Sequence, residues 1–225
     1  MKQYDFYRHL IFASAGGYFG AYALLAHGSL ASAQTLNMIM MTVDTAKHMY
    51  SHTLMCFGCL LVYIAGVAST VIIPHCFGLK MCYVSPAISI VCAIISAYLP
   101  ADIPPIIALY PIFFAMSVQW TSFQGTNGFT TATIFSTNNL KQLTLALTER
   151  MVNHDKKQKK KIITFSGMLL AFHIGVFLSY SYFKVYSSKS ILFVIPILIL
   201  ATIFTFVAEH QKEIDMNQLT VATNS

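Results

Sequence analysis

The sequence predicts an all-α integral membrane protein, with about six transmembrane helices and two short half-helices arranged as a 3+3 inverted repeat. Three observations lead there. The chain of 225 residues is 56% hydrophobic and 10% charged, and its apolar residues fall in blocks of membrane-spanning length. Two polar stretches, Ala33-Gln34-Thr35-Leu36-Asn37 and Phe135-Ser136-Thr137-Asn138-Asn139, interrupt those blocks in similar contexts. Two ten-residue apolar segments, Gly58–Val67 and Gly167–Val176, agree or are chemically close at six of ten positions, with paired glycines in the same places.

The elements follow in chain order. Met1–Arg8 is a short basic start, and the first span runs from about His9 to Ala26. Its Gly16, Gly17 and Gly20 let another helix backbone approach closely in lipid, where packing replaces the hydrophobic drive. After the first polar stretch, a helix over Met38–Tyr50 carries Asp44, Lys47 and His48. It is too short and too polar for an independent span and reads as a re-entrant half-helix. The second span is Thr53–Ile73, closed by Pro74, and the third is Met81–Leu99. Pro100, Pro104 and Pro105 mark the break between halves, because prolines cannot continue a helix. The fourth span, Ile106–Phe123, is interrupted by Pro111, and Gly125-Thr126-Asn127-Gly128 is a turn. The second polar stretch and an amphipathic helix, Leu140–Val152, come next. The fifth and sixth spans are Ile162–Phe183 and Ile191–Ala208. The repeats are thus 1–100 and 101–210, with 211–225 a flexible polar tail.

Counting bases orients the chain. With six crossings and both termini cytoplasmic, eleven Lys and Arg lie inside and three (Lys47, Lys184, Lys189) outside. An eight-crossing arrangement would move Lys80 outside and sink the charges of both short helices. The expected location is the cytoplasmic membrane. The net charge of +6 does not point to nucleic acid, because Lys156–Lys161 supplies five of the bases beside an apolar span. That run reads as an anchor for anionic lipid. The five cysteines lie in apolar surroundings and make no disulfide framework. Cys56-Phe57-Gly58-Cys59 lacks a second ligand pair, so packing is expected, with no metal and no cofactor.

These residues also carry a family resemblance. Gly17-Tyr18-Phe19-Gly20-Ala21, Thr35-Leu36-Asn37, Ser117-Val118-Gln119-Trp120-Thr121 and Thr137-Asn138-Asn139 fall in one order and spacing. The sequence resembles the YoaK-type family of small bacterial membrane proteins, defined mainly as a domain of unknown function. The resemblance covers about Phe12 to Ala208. That family shows G-x-x-D-A and T-G-N in its first half, then G-x-Q-N-A and T-G-N. Here Gly20 replaces the acid, Leu36 and Asn138 replace the central glycines, and Trp120 replaces the Asn. The resemblance implies six spans and a transport role without a defined substrate, and a family task of that acid cannot be done the same way here.

The candidate substrate-binding residues are Thr35, Asn37, Gln119, Trp120, Thr137, Asn138 and Asn139. Thr and Asn offer donors and acceptors where water is scarce, and they also favour helix caps. Gln119 fits a site or an interhelical hydrogen bond, and Trp120 a stacking wall or an interfacial anchor. His173, ionisable within the fifth span, and Asp44 are the candidates for proton coupling, set against a hydrogen-bonded neutral imidazole and an interfacial carboxylate. The leading function is a small-molecule secondary transporter or facilitator for a small neutral or singly charged solute. The alternative is a non-transporting scaffold, receptor or partner subunit. An enzyme is not expected, because no H-E-x-x-H, G-x-S-x-G or carboxylate pair is present. Oligomeric state is not legible.

Overall fold

The apolar blocks are helical. In the computed structural model, residues 2–31 and 34–224 are described, with side chains for 3–31 and 34–216. The order is α1 (Lys2–His27), α2 (Gln34–Ala46), α3 (Tyr50–Phe77), α4 (Met81–Ala97), α5 (Pro105–Ala108), α6 (Tyr110–Ser122), β1 (Gly125–Thr126), β2 (Phe129–Thr130), α7 (Thr137–Val152), α8 (Lys159–Tyr186) and α9 (Ile195–Asn224). A 3-10 turn at Lys156–Gln158 precedes α8, and a longer 3-10 segment, Ser187–Val194, joins α8 to α9. Among the described residues, Gln3–His27, Tyr50–Phe77 and Lys156–Met216 are long and apolar enough to cross a membrane, the last combining α8 and α9. Met81–Ala97 is a shorter apolar helix. The protein is an all-helical membrane protein with one two-stranded hairpin.

Several boundaries differ from the sequence reading, each for a local reason. Pro74 does not close α3; it sits inside the last turn. The helix stops instead at Gly78, whose left-handed φ of 65° lets its N–H bond the Pro74 carbonyl at 3.0 Å. The fourth span is interrupted as expected, at Leu109 between α5 and α6, and Pro111 stands in the first turn of α6, where its missing N–H costs nothing. The expected turn at 125–128 is the tip of the hairpin, with Gly125 opposite Thr130 and Thr126 opposite Phe129. Asn127 and Gly128 both have positive φ there, as a two-residue hairpin turn demands. The two polar stretches are not loops ahead of helices: Gln34–Asn37 and Thr137–Asn139 form the first turns of α2 and α7. Ala33 lies outside the described residues. The stretch expected as a polar tail continues α9 as far as Asn224.

Small residues set the packing. α1 packs on α8 and α9, and α6 packs on α3 and α4. α2 lies on α3, and α7 on α8. At the α1–α8 crossing, a Cβ on Gly17 would stand 2.0 Å from the Phe172 carbonyl oxygen, and one on Gly175 only 1.8 Å from that of Ser14. At the α3–α6 crossing, a Cβ on Gly66 would meet Ser117 Oγ at 1.9 Å and the Phe114 carbonyl at 3.0 Å. The helices therefore touch backbone to backbone, as helices in lipid do. Around α1 the core is solid. Phe12, Tyr18, Phe19 and Tyr22 are buried with Ile112, Phe113 and Met116 of α6. The two tyrosine hydroxyls donate to the carbonyls of Ser190 (2.6 Å) and Ser188 (3.0 Å), which ties α1 to the 3-10 segment.

Candidate functional site

The site is built on chain that is neither helix nor strand. Between β2 and α7, residues Thr131, Ala132, Thr133 and Ile134 are all buried. They run beside the middle of α1, where Gly16 leaves room: a Cβ there would stand 2.2 Å from the Thr133 carbonyl oxygen. Irregular backbone at this depth must satisfy its polar groups within the protein. Asn139 does so from the first turn of α7. Its Nδ2 donates to the carbonyls of Ala132 (2.7 Å) and Phe135 (3.2 Å), and its Oδ1 accepts from the Ala132 N–H at 3.1 Å. From α6, Gln119 Nε2 donates to the Phe12 carbonyl (3.0 Å) and to Thr133 Oγ1 (3.2 Å). One amide thus links α1, α6 and the irregular run.

Two grooves flank Phe135. One, of about 500 Å³, is lined by Tyr63, Trp120, Thr131, Phe135 and Asn138. Trp120 stands edge-on to Phe135, with ring centroids 5.3 Å apart. The other, of about 520 Å³, is lined by Gly20, Phe135, Ser136, Thr137, Phe172 and Tyr180. Thr131 Oγ1 in the first groove and Ser136 Oγ in the second are buried without a protein partner, and so is Gln119 Oε1. Each groove therefore combines an aromatic wall with an unpartnered hydroxyl buried behind its lining.

The structure brings Gln119, Trp120, Asn138 and Asn139 together around the Thr131–Ser136 run, and Thr137 into the second groove. It does not bring the other polar stretch to them. Asn37 is buried and, among the described residues, donates a long bond, 3.4 Å, to Gln34 Oε1 of its own turn, while Thr35 is exposed on α2. Thr35 lines a surface cavity with Met38, Ile39, Thr42 and Val43 of its own helix, away from Thr137 and Asn138 at theirs. His173 lies on the outer face of α8, exposed, with Nδ1 bonded to the Leu169 carbonyl at 2.8 Å. Asp44 is buried at the other end of α2, where His52 Nδ1 donates to its Oδ2 at 2.5 Å.

Thr131, Phe135 and Ser136 escaped the sequence reading as site residues, although Phe135 and Ser136 open the second polar stretch. A charged cluster at the start of α1 escaped it too. Buried Arg8 holds Asp5 on its own helix and Glu209 of α9 (3.1 Å), and Thr126 Oγ1 of the hairpin donates to Asp5 Oδ2 at 2.8 Å. Nearby, Lys160 of the basic run donates to the Asn127 carbonyl at 2.7 Å, while Lys156, Lys157 and Lys159 stay exposed. Asp155 begins that run. A hydrogen bond from Gln158, with one from the Lys157 N–H, holds its carboxyl below the usual range.

Comparison with curated proteins and with solved structures returns no match. The profile of a protein family of unknown function, DUF1275, matches residues 9–205. That match covers most of the chain, which belongs to the DUF1275 family, the YoaK-type family that its paired motifs resemble.

Proposed function

We propose that this protein is a small-molecule secondary transporter or facilitator of the cytoplasmic membrane, with six crossings, two re-entrant half-helices and both termini cytoplasmic. The observation that carries the reading is the irregular run Thr131–Ser136, buried over Thr131–Ile134, with a groove on each side of Phe135 and unpartnered hydroxyls of Thr131 and Ser136 just beneath the groove walls. Broken backbone at membrane depth is tolerated where it lines a path for solute. The donors on offer are hydroxyls and amides beside aromatic faces, so the solute is small and neutral or singly charged.

The packing supports the inverted repeat. Gly167 and Gly175 of α8 face Phe6 and Ser14 of α1, and Gly58 and Gly66 of α3 face Tyr110 and Ser117 of α6, so each glycine pair meets the first helix of the other half. Each first helix thus packs on the other half's helices, and each short helix on its own half's long one. The base count supports the orientation, and the exposed lysines of 156–160 fit anionic lipid at the cytoplasmic face.

Uptake by proteoliposomes, screened over solute classes, tests the reading. Trp120→Ala and Asn138→Ala change the groove without touching the Asn139 clamp, and they are expected to lower uptake. Uptake unchanged by His173→Ala and Asp44→Asn would remove proton coupling through those residues. The closely packed core around α1 favours a second reading, a non-transporting module. That reading predicts no uptake of any solute and no stabilising small ligand in a melting screen.

A further inference from the structure

At the far end of α2, three side chains of different chemistry converge. Asp44 is on α2; His52 and Cys56 are four apart on one face of α3. One ligand atom from each lies within 4.8 Å of the other two. His52 Nδ1 is 3.8 Å from Cys56 Sγ and 2.5 Å from Asp44 Oδ2. Asp44 and Cys56 are buried, and His52 is half-buried. A cavity of about 540 Å³ adjoins them, lined by His48, Met49, Tyr50, Ser51, His52 and Met55. It adds a second imidazole and two thioethers to the thiolate, imidazole and carboxylate.

We propose that Asp44, His52 and Cys56 form a binding site for a thiophilic d10 cation, Zn²⁺ or Cu⁺. Bonds of about 2.3 Å to sulfur and about 2.0 Å to nitrogen put those two ligands roughly 3.6 Å apart in a tetrahedron. The observed 3.8 Å is close to that edge. The carboxylate has to open from the imidazole by about 1 Å, which a turn of the Asp44 side chain provides. On binding the thiol releases its proton to water and the imidazole moves its proton from Nδ1 to Nε2, so Nδ1 is free to ligate and affinity rises with pH. Candidates for the fourth ligand line the adjoining cavity: Met49 or Met55 suits Cu⁺, and for Zn²⁺ a water or the His48 imidazole, whose Nδ1 is bonded to the Tyr50 hydroxyl at 2.9 Å. An ion there clips α2 to α3, the long helix on which α2 lies. The position of the first re-entrant helix then depends on metal.

The full chain, purified in nanodiscs and stripped with chelator, is titrated with Co²⁺ as a spectroscopic stand-in. The expected result is a thiolate-to-cobalt charge-transfer band that saturates at one equivalent and is displaced by Zn²⁺ or by Cu⁺ held in a competing chelator. Whichever displaces it at the lower free concentration is the ion. Cys56→Ser abolishes the band, and His52→Ala and Asp44→Asn each weaken binding at least about tenfold. No saturable band, a band that survives in Cys56→Ser, or no displacement by either ion overturns the proposal. Asp44→Asn preserves shape, and its metal-free melting reports folding. If it folds like the wild type and binds cobalt as tightly, the proposal is equally overturned.

Discussion

Replacing Gly175 by alanine tests the crossing on which the whole bundle is hung. The new Cβ would lie 1.8 Å from the Ser14 carbonyl oxygen, 2.7 Å from its carbon and 3.0 Å from its Cα. All three are backbone atoms of α1, so no rotamer change relieves the clash. The closest Cβ contacts in proteins are about 3.0 Å, so α1 and α8 must part by more than 1 Å locally. Overpacking of this kind costs about 1–3 kcal/mol, and more where neighbours cannot move. Gly66→Ala is the matched comparison at the α3–α6 crossing. There the nearest atom is Ser117 Oγ at 1.9 Å, which can swing away by giving up its bond to the Phe114 carbonyl, while the Phe114 oxygen at 3.0 Å and Ser117 Cβ at 3.2 Å need give by only a few tenths of an ångström. Gly20→Ala is the control, since only Phe172 Cζ at 4.0 Å is near it; it should stay within about 0.5 kcal/mol of the wild type. Reversible unfolding in mixed micelles, followed by circular dichroism and by Trp120 fluorescence, gives the three values. The expected order of damage is Gly175→Ala, then Gly66→Ala, then Gly20→Ala. A Gly175→Ala protein as stable as Gly20→Ala would refute backbone contact between α1 and α8.

Asn139→Ala strips the partners from the Ala132 N–H and from two carbonyls, at about 1–3 kcal/mol for each group left dry. It should appear as a lower melting temperature and as new protease cleavage between Thr131 and Ser136. Gln119→Leu loses two hydrogen bonds but also removes an Oε1 that already lacks a partner, so a smaller loss, about 0.5–2 kcal/mol, is expected in the same melt. A reporter fused after Lys80 should show cytoplasmic activity; extracytoplasmic activity there would sink the six-crossing arrangement. Chelation should raise hydrogen exchange in α2 and leave α7 unchanged, and equal exchange with and without metal would deny the clip.

What was legible in the sequence follows from the range of the forces involved. Apolar blocks of spanning length are a property of single segments, and α1, α3, α4, α8 and α9 all formed close to where those blocks lie. The paired glycines were legible because the backbone contact they permit needs an absence of side chain, whoever the neighbour is. Partnerships were not legible. Arg8 counted only as a charge for orientation, yet it is buried against Glu209, 201 residues away. Pro74 reads as a helix end in one dimension, but its ring fits the last turn of α3 and Gly78 ends the helix one residue past Phe77.

The polar stretches show the same division within five residues. In Thr137-Asn138-Asn139 the helix turn sends Asn139 inward to hold Ala132 and Phe135, and leaves Thr137 and Asn138 exposed at the grooves. Clamping the irregular run and lining the grooves are thus done by neighbouring residues rather than by one. In the first half, among the described residues, Asn37 bonds Gln34 within its own turn, and α2 lies on α3. The far end of α2 gathers Asp44, His52 and Cys56. A bound cation would supply there the anchoring that Asn139 supplies by hydrogen bonds in the other half. Metal should accordingly stabilise Gln34→Ala and Asn37→Ala variants by more than it stabilises Asn139→Ala. Equal stabilisation of all three would separate the cation from the position of α2.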